Sequence, residues 1–267
     1  MRPPAVAGRF YPADPVALAE LVDGLVAGVA VPDGEPLADG YVVPHAGLRY
    51  SGPTAAQVYA RLARSADGIE RIVLLGPAHY VPLEGCAAPA AAHWRTPLGQ
   101  VPVDTRVVRA LAAAGWVVLD DLPHAPEHSL EVQLPFLQRV LRPGTPLVPV
   151  AVGQSSVDDV AAVISAALAA GPGTVVLAST DLSHYLEDGA ARQQDARTAD
   201  AVLNLEPGRI GVRDACGVYG LRGLVGWARA GGLTPTLLHL CTSAETAGDP
   251  SRVVGYGAFA FTGQGQR

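Results

Sequence analysis

Three apolar runs of strand length each end in a short turn that carries a histidine. His45 follows the run GYVV, His79 follows RIVLLG, and Asp181 and His184 follow TVVLAS. In open α/β sheets, ligands bind at the carboxyl ends of the strands, where loops are free to carry chemistry. Three imidazoles and a carboxylate at such ends predict one convergent site, which both metal binding and acid–base chemistry require.

These runs belong to an alternation of strands and helices that extends along the whole chain. The alternation predicts a layered α/β sandwich with helices on both faces of a sheet. The last two strands lack a clear crossover helix between them, which predicts a mixed sheet. The linker-like stretches are only of loop length, so residues 1–267 are expected to form a single domain. The predicted helices are 14–29, 54–64, 105–114, 130–141, 157–170, 189–203 and 216–230, and the predicted strands are 41–43, 72–75, 101–103, 117–119, 147–152, 174–178, 237–240 and 253–261.

The charge balance excludes several classes of function. The formal net charge of −6 and the pI of 5.6 argue against a nucleic-acid surface. All 19 basic residues are arginine, which excludes a Schiff-base lysine and a P-loop lysine. We expect no signal peptide and no membrane span, because no apolar stretch has the required length. Three widely spaced cysteines make a disulfide framework unexpected and favour a reducing cytoplasm.

His45 and His79 are stronger candidates together than either is alone. An isolated loop histidine is ordinarily held by a hydrogen bond to the backbone. Here both histidines follow buried strands, and both turns combine a proline with small residues, as Pro44 and Gly47 do around His45. The pair therefore favours metal ligands.

Asp181 and His184 are three residues apart on a predicted starting helix turn, where they would share one face. In one interpretation, Asp181 accepts a hydrogen bond from one ring nitrogen and leaves the other for substrate or metal. In the other, Asp181 is a helix N-cap and His184 faces solvent. The sequence alone leaves both open.

Cys216 opens a predicted helix. A thiol at a helix N-terminus has a lowered pKa and is a good soft metal ligand. The alternative is a small buried residue, which is the commonest fate of a free cysteine. Cys86 and Cys241 lie in apolar surroundings and are interpreted as packing residues.

The segment PEHSLEVQLPFL begins another predicted helix with Glu127, His128 and Glu131. His128 and Glu131 are three residues apart and can face one cleft. Acidic residues are also favoured at a helix start by the helix dipole. That alternative explains the two glutamates but not the histidine.

Six motifs, taken in order, resemble one known family. They are RPPAVAGRFYP, PHAGLRYSGP, LGPAHY, EHSLEVQLPFL, STDLSHY and DACG. From Pro4 to near Phe261 the chain is similar to the Memo family, whose prokaryotic members are called AmmeMemoRadiSam system protein B. The family fold is similar to that of class III, non-haem iron extradiol dioxygenases, which implies one α/β domain around a mixed sheet.

The resemblance implies roles for particular residues. The family's metal-type ligands fall on His45, His79 and Cys216. Its Asp-x-x-His pair falls on Asp181 and His184. His184 then occupies the place of a dioxygenase acid–base histidine.

His128 is the candidate for a second acid–base group. Related dioxygenases have a glutamate where this chain has Cys216, which softens the site and favours tightly held iron(II), or copper or zinc. The chain departs from the family pattern at Ala78, where a serine is frequent, and after Gly217, where a proline often follows. Neither departure removes a ligand.

The resemblance implies a metal-dependent, dioxygenase-like oxidoreductase that acts on an unestablished small-molecule substrate. The alternative is a non-catalytic protein that keeps the cleft to bind metal or a protein or peptide partner. Cys216 favours this alternative, since a thiolate beside activated oxygen risks its own oxidation, whereas Asp181 and His184 favour an enzyme. A third hypothesis, a hydrolase with zinc-bound water, has less support, because a thiolate ligand reduces the Lewis acidity with which the metal activates water. The family name also implies an association with a radical-SAM protein.

Overall fold

Residues 1–263, which the computed structural model describes, form eleven strands and eight α-helices. The strands are β1 (Gly40–Val43), β2 (Arg71–Pro77), β3 (Cys86–Ala88), β4 (His93–Thr96), β5 (Gly99–Pro102), β6 (Val118–Leu119), β7 (Leu147–Val152), β8 (Thr174–Ser179), β9 (His184–Leu186), β10 (Thr234–Thr242) and β11 (Val253–Thr262). The helices are α1 (Pro15–Ala27), α2 (Leu48–Arg64), α3 (Thr105–Ala113), α4 (Leu134–Val140), α5 (Val157–Leu168), α6 (Asp188–Leu203), α7 (Val218–Ala230) and α8 (Ala244–Ala247).

One mixed sheet contains nine of the described strands. Its order is β10-β11-β1-β8-β2-β7-β3-β6, with β9 paired to β11, while β4 and β5 form a separate hairpin. The strands β1, β8, β2 and β7 are parallel neighbours. In contrast, β11 is antiparallel to β1 and β10, and β3 is antiparallel to β7. The predicted α/β class with a mixed sheet is therefore confirmed.

The central strands form because their residues are apolar, largely β-branched and covered on both sides. Every residue of β1 and β7 is buried, and only the first residue of β8 is partly exposed. Continuous apolar runs of this kind are typical of parallel strands between helical layers.

Two helical layers flank the sheet. In the first layer, α5 packs on α7, and α7 covers β1, β2 and β8. In the second layer, α1, α2 and α4 pack together, and α2 lies against β1, β10 and β11. None of the helices in the described residues is both long and apolar enough to cross a membrane.

The ends of the central strands are level with one another. Val43 of β1 pairs with Ser179 of β8, and Leu75 of β2 pairs with Ala178 of β8. The loops that follow β1, β8 and β2 therefore meet at one edge of the sheet, which is where open α/β sheets bind ligands.

The start of α2 differs from the prediction. The helix begins at Leu48 rather than at residue 54, so Pro53 lies inside it. The Leu48 amide donates to the Phe10 carbonyl, and the Ser51 hydroxyl donates to the Ala46 carbonyl. These contacts hold the turn before Pro53, although the proline removes one backbone hydrogen bond.

Residues 181–183 belong to neither a helix nor a strand. The Leu182 amide donates to the Gly255 carbonyl, and the Gly255 amide donates to the Ser183 carbonyl. His184 then begins β9 against β11. The predicted helix turn is wrong, and so is the N-cap interpretation of Asp181, because a strand distant in sequence supplies the hydrogen bonds that a helix would have supplied.

Candidate metal site

A cavity of about 720 Å³ opens at the edge where β1, β8 and β2 end. His45, Asp181 and His79 each lie two residues beyond the last residue of their strand. The cavity wall contains all six residues that the sequence and the resemblance single out: His45, His79, His128, Asp181, His184 and Cys216.

Three imidazoles form a compact group in this cavity. His45, His79 and His128 each offer one ring nitrogen, and these nitrogens lie within 4.8 Å of one another. Histidine nitrogens bind a divalent ion at about 2.0–2.1 Å, so two such ligands lie at most about 4.2 Å apart. The group can therefore hold one ion after small side-chain movements.

The ring of His45 is held in one tautomer. Its Nδ1 atom lies 3.0 Å from the hydroxyl oxygen of Ser179. That hydroxyl donates to the Ser129 carbonyl and accepts from the Gln133 amide, so it must accept from His45. The Nε2 atom of His45 is left unprotonated. Burial, and next the adjacent His79, lower the pKa of His45 to about 3, which keeps the ring neutral at pH 7.

A buried carboxylate orients His79. The Nδ1 atom of His79 lies 2.9 Å from Oε1 of Glu127, and the His79 amide donates to the other oxygen. Burial opposes ionisation of Glu127, but hydrogen bonds from the His79 ring and from backbone amides outweigh it and lower its pKa to about 2. The ionised carboxylate accepts the Nδ1 proton, so Nε2 of His79 is available. Such a pairing also fixes the orientation of the ring.

His128 completes the group with an unpartnered nitrogen. Its Nδ1 atom is buried and makes no hydrogen bond with the described residues, because its approach to Glu127 at 3.2 Å lacks hydrogen-bond geometry. Its ring packs on Phe10, with centroids 4.5 Å apart. Burial, and next the adjacent His45, lower the pKa of His128 to about 4. A buried polar atom without a protein partner is a suitable contact for a ligand.

Cys216 lies beside this group of imidazoles. Its Sγ atom is 3.2 Å from Nε2 of His45, and the Asp181 amide donates to it at 3.3 Å. Among the described residues, Cys216 is not part of the set whose ligand atoms all lie within 4.8 Å of one another. The expected low pKa of this thiol is wrong. Burial, and next the charge of Asp181, raise the pKa of Cys216 to about 12, although the residue does precede α7.

Asp181 and His184 both line the cavity but have different hydrogen-bond partners. Oδ1 of Asp181 accepts from the backbone amides of His45 at 2.7 Å and Ala46 at 3.3 Å, so it fixes the loop that carries His45. Burial raises the pKa of Asp181. His184 donates from Nδ1 to the Leu182 carbonyl at 2.8 Å, which leaves Nε2 as the ring nitrogen without this bond.

The two glutamates of the PEHSLEVQ segment have different partners, which the sequence analysis did not distinguish. The expectation that Glu131 shares a cleft with His128 is wrong: Glu131 is buried against the N-terminal segment, 2.7 Å from Arg2 and 2.6 Å from the Tyr11 hydroxyl. Glu127 is the residue that sequence reasoning missed as an orienting group. Its position directly before His128 was the available signal, but its partner lies in another loop.

The fold and this cavity together define a class: an α/β protein with an imidazole-rich candidate metal site at the carboxyl edge of its parallel strands. A family model described as Memo-like protein matches residues 2–260. MEMO1 family proteins of Methanopyrus kandleri, Methanosarcina acetivorans and Nitrosopumilus maritimus are 38%, 35% and 32% identical to the chain. Each alignment covers at least 97% of this chain and 98% of the relative. The chain belongs to the Memo family, which confirms the resemblance found in its motifs.

Proposed function

We propose that the protein binds one divalent metal ion in this cavity, with His45 and His79 as two of its ligands. The observation that carries the proposal is the pair of fixed tautomers. Ser179 and Glu127 each accept the Nδ1 proton of one ring, so neither Nε2 atom carries a proton and each can bind a metal ion. Neutral imidazoles suit iron, copper and zinc. Iron(II) is the leading candidate because of the family resemblance, with copper or zinc as alternatives.

Two side chains compete for the third ligand position. His128 is supported by geometry, because its nitrogen lies within 4.8 Å of the other two. Cys216 is the ligand that the resemblance implies, and the 3.2 Å between its Sγ and Nε2 of His45 suits two ligands of one ion. Ligation by Cys216 would release the thiol proton and make the affinity strongly dependent on pH.

Cobalt(II) titration tests the site and identifies the third ligand. A bound thiolate produces an intense sulfur-to-cobalt charge-transfer band, which Cys216→Ser would abolish and His128→Ala would leave. Absence of that band, with a loss of affinity in His128→Ala, identifies His128 instead. We expect His45→Ala and His79→Ala each to weaken metal binding by more than about a hundredfold. Loss of a residue that only hydrogen-bonds to a ligand costs about ten- to a hundredfold. His93→Ala, at an exposed position, is the matched control. Wild-type affinity in His45→Ala and His79→Ala would contradict the metal site.

We infer further that the site supports oxidation of a small organic substrate. Iron(II), when bound, would supply Lewis-acid and one-electron redox chemistry in the cavity. His184 would accept the proton of a substrate hydroxyl at Nε2, because its Nδ1 is committed to the Leu182 carbonyl. Asp181 acts through the backbone of His45 and is therefore a positioning residue.

Oxygen uptake by the iron(II)-loaded protein, with a panel of phenols and catechols, tests this activity. We expect His184→Gln to lose turnover while keeping the metal affinity of the wild type, and His93→Gln to keep both. Stoichiometric iron binding without oxygen uptake for any substrate would contradict the enzyme proposal and leave the metal site standing.

The alternative is a non-catalytic protein that keeps the cleft for a metal or for a protein or peptide partner. The observation that favours it is the Cys216 thiol beside Nε2 of His45, since oxygen chemistry at that place would oxidise the sulfur. Mass spectrometry after aerobic incubation with iron(II) separates the two functions. Rapid conversion of Cys216 to sulfinic acid supports the alternative, whereas an intact thiol during sustained oxygen uptake supports the enzyme.

We also propose a cytoplasmic location and an association with a radical-SAM protein. The three free cysteines fit a reducing compartment, and the family name supports the association. Anaerobic co-purification with a co-expressed radical-SAM protein tests the second proposal, and failure to co-purify at micromolar concentrations contradicts it.

A further inference from the structure

The rim of the cavity carries an arginine without an anionic partner. The Arg252 guanidinium lies over the Tyr185 ring, 4.5 Å from its centroid, and both residues line the cavity. Within residues 1–263, this guanidinium makes neither a salt bridge nor a hydrogen bond. The nearby Asp249 accepts instead from the amide and hydroxyl of Ser251. Arg252 is therefore a cation at the cavity mouth that contacts an aromatic ring and is available to an anion.

The backbone under this arginine is unusual. Tyr185 has a φ of +61° and a side chain that is 62% exposed. A non-glycine residue at positive φ is uncommon, and such residues are concentrated at ligand sites. The conformation is held because Leu186 and His184, on either side of Tyr185, pair with Val253 and Val254 of β11 across a register shift. Arg252, whose guanidinium lies over the Tyr185 ring, directly precedes β11.

Deeper in the cavity, a second polar group lacks a partner. Tyr256 is only 2% exposed and lines the same cavity, yet its hydroxyl makes no hydrogen bond with the described residues. Burial, and next the charge of Asp181, raise its pKa well above the usual value, so the phenol stays protonated and remains a donor. A hydroxyl in a cavity wall without a protein partner can donate to a ligand in that cavity.

The wall of this cavity is also rich in aromatic residues. Phe10, Tyr50 and Tyr80 line the same cavity as Arg252 and Tyr256. Aromatic side chains pack well on flat apolar surfaces, and a few placed polar groups fix the orientation of a small ligand in such a site.

From these observations we infer that the cavity binds an aromatic carboxylate that also carries a ring hydroxyl. Arg252 at the rim holds the carboxylate, the aromatic wall packs on the ring, and Tyr256 donates to the ring oxygen. The inference rests on the proposed function in that it names a substrate class for the same cavity. It requires no bound metal for its test.

Titration calorimetry with two matched probes, 4-hydroxybenzoate and the neutral 4-hydroxybenzamide, tests the inference. The protein is used as purified and again after metal removal, so that failure of the metal site does not affect the result. We expect the acid to bind about tenfold or more tightly than the amide, as one charge-assisted hydrogen bond allows. Arg252→Gln should bring the acid to the affinity of the amide, and Arg252→Lys should restore part of the preference.

Two more variants complete the test. Tyr256→Phe should weaken binding of 4-hydroxybenzoate but not of benzoate, which lacks the ring hydroxyl. Arg109→Gln, an exposed arginine on α3, is the matched control and should bind both probes as the wild type does. The inference is overturned if the wild type does not prefer the acid, or if Arg252→Gln keeps the full preference.

Discussion

At the scale of single residues, the chemistry of the cavity depends on where protons reside. His45 and His79 could be predicted as candidate ligands, because each follows a buried strand and a turn that contains proline. Their tautomers depend on Ser179 and Glu127, which approach from other loops, and no spacing rule connects these residues in sequence. The same holds for Cys216: its position before a helix predicts a low pKa, whereas burial in the folded protein raises it.

Replacing the carboxylate that orients His79 is expected to weaken metal binding without displacing a ligand. In Glu127→Gln, the neutral amide oxygen accepts the Nδ1 proton of His79 more weakly than the carboxylate does, so we expect a ten- to hundredfold loss of affinity. Competition with a chromogenic chelator measures the affinity. Glu20→Gln, an exposed glutamate on α1, is the control. Unchanged affinity in a folded Glu127→Gln protein would show that the carboxylate has no such role.

At the scale of elements, long segments are predictable and short ones are not. The strand β7 spans Leu147–Val152, which is the predicted range, because a continuous apolar run is a local signal. The strand β9 has three residues and exists because β11 offers it an edge. The N-terminal segment likewise has no periodicity, and its place depends on Arg2 and Glu131.

Loss of the buried ion pair at the N-terminus is expected to destabilise the whole fold. Arg2 contacts Glu131 and also donates to the carbonyls of His124 and Glu127. Arg2→Ala leaves the buried Glu131 carboxylate without its cation, so we expect a loss of about 3–5 kcal/mol in the free energy of unfolding. Urea denaturation measures this. Arg139→Ala, which breaks only an exposed pair, should lose less than about 1 kcal/mol, and equal losses in the two variants would refute the argument.

Close approach of β11 to Asp195 of α6 requires a glycine at position 255. A Cβ atom there would overlap the carboxylate of Asp195, which accepts from the amide and hydroxyl of Ser183. Gly255→Ala is therefore expected to lower the melting temperature and shift the NMR resonances of His184. The control is Gly24→Ala in α1, where a Cβ atom meets no neighbour and helix propensity favours alanine. A Gly255→Ala protein as stable as the wild type would contradict the close contact.

At the scale of the whole molecule, strand order creates the site. The alternation of strands and helices predicts the α/β class, but it does not specify that β8 lies between β1 and β2. Only that order places the strand that precedes Asp181 between the strands that precede His45 and His79. Strand pairing depends on long-range packing and on crossover geometry, which residue spacing along the chain does not encode.

Burial of neutral histidines is expected to make the whole molecule sensitive to acid. His124 lies outside the cavity and is only 1% exposed. Burial, and next the charge of Arg2, lower its pKa from 6.5 to about 4. Between these two values the unfolded chain binds a proton that the folded chain does not. The free energy of unfolding therefore falls as the pH drops, and the loss from this one residue reaches roughly 3 kcal/mol below about pH 4.

His124→Gln should remove this part of the acid sensitivity. The glutamine has no titrating ring but can still donate to the Ala87 carbonyl, which accepts from His124 in the wild type. Urea denaturation between pH 7.5 and 4.5 should show the wild type losing roughly 2–3 kcal/mol more than the variant over that range. His93→Gln, at an exposed position, should follow the wild-type curve. Parallel curves for the wild type and His124→Gln would mean that His124 is protonated equally easily in the folded and unfolded chains.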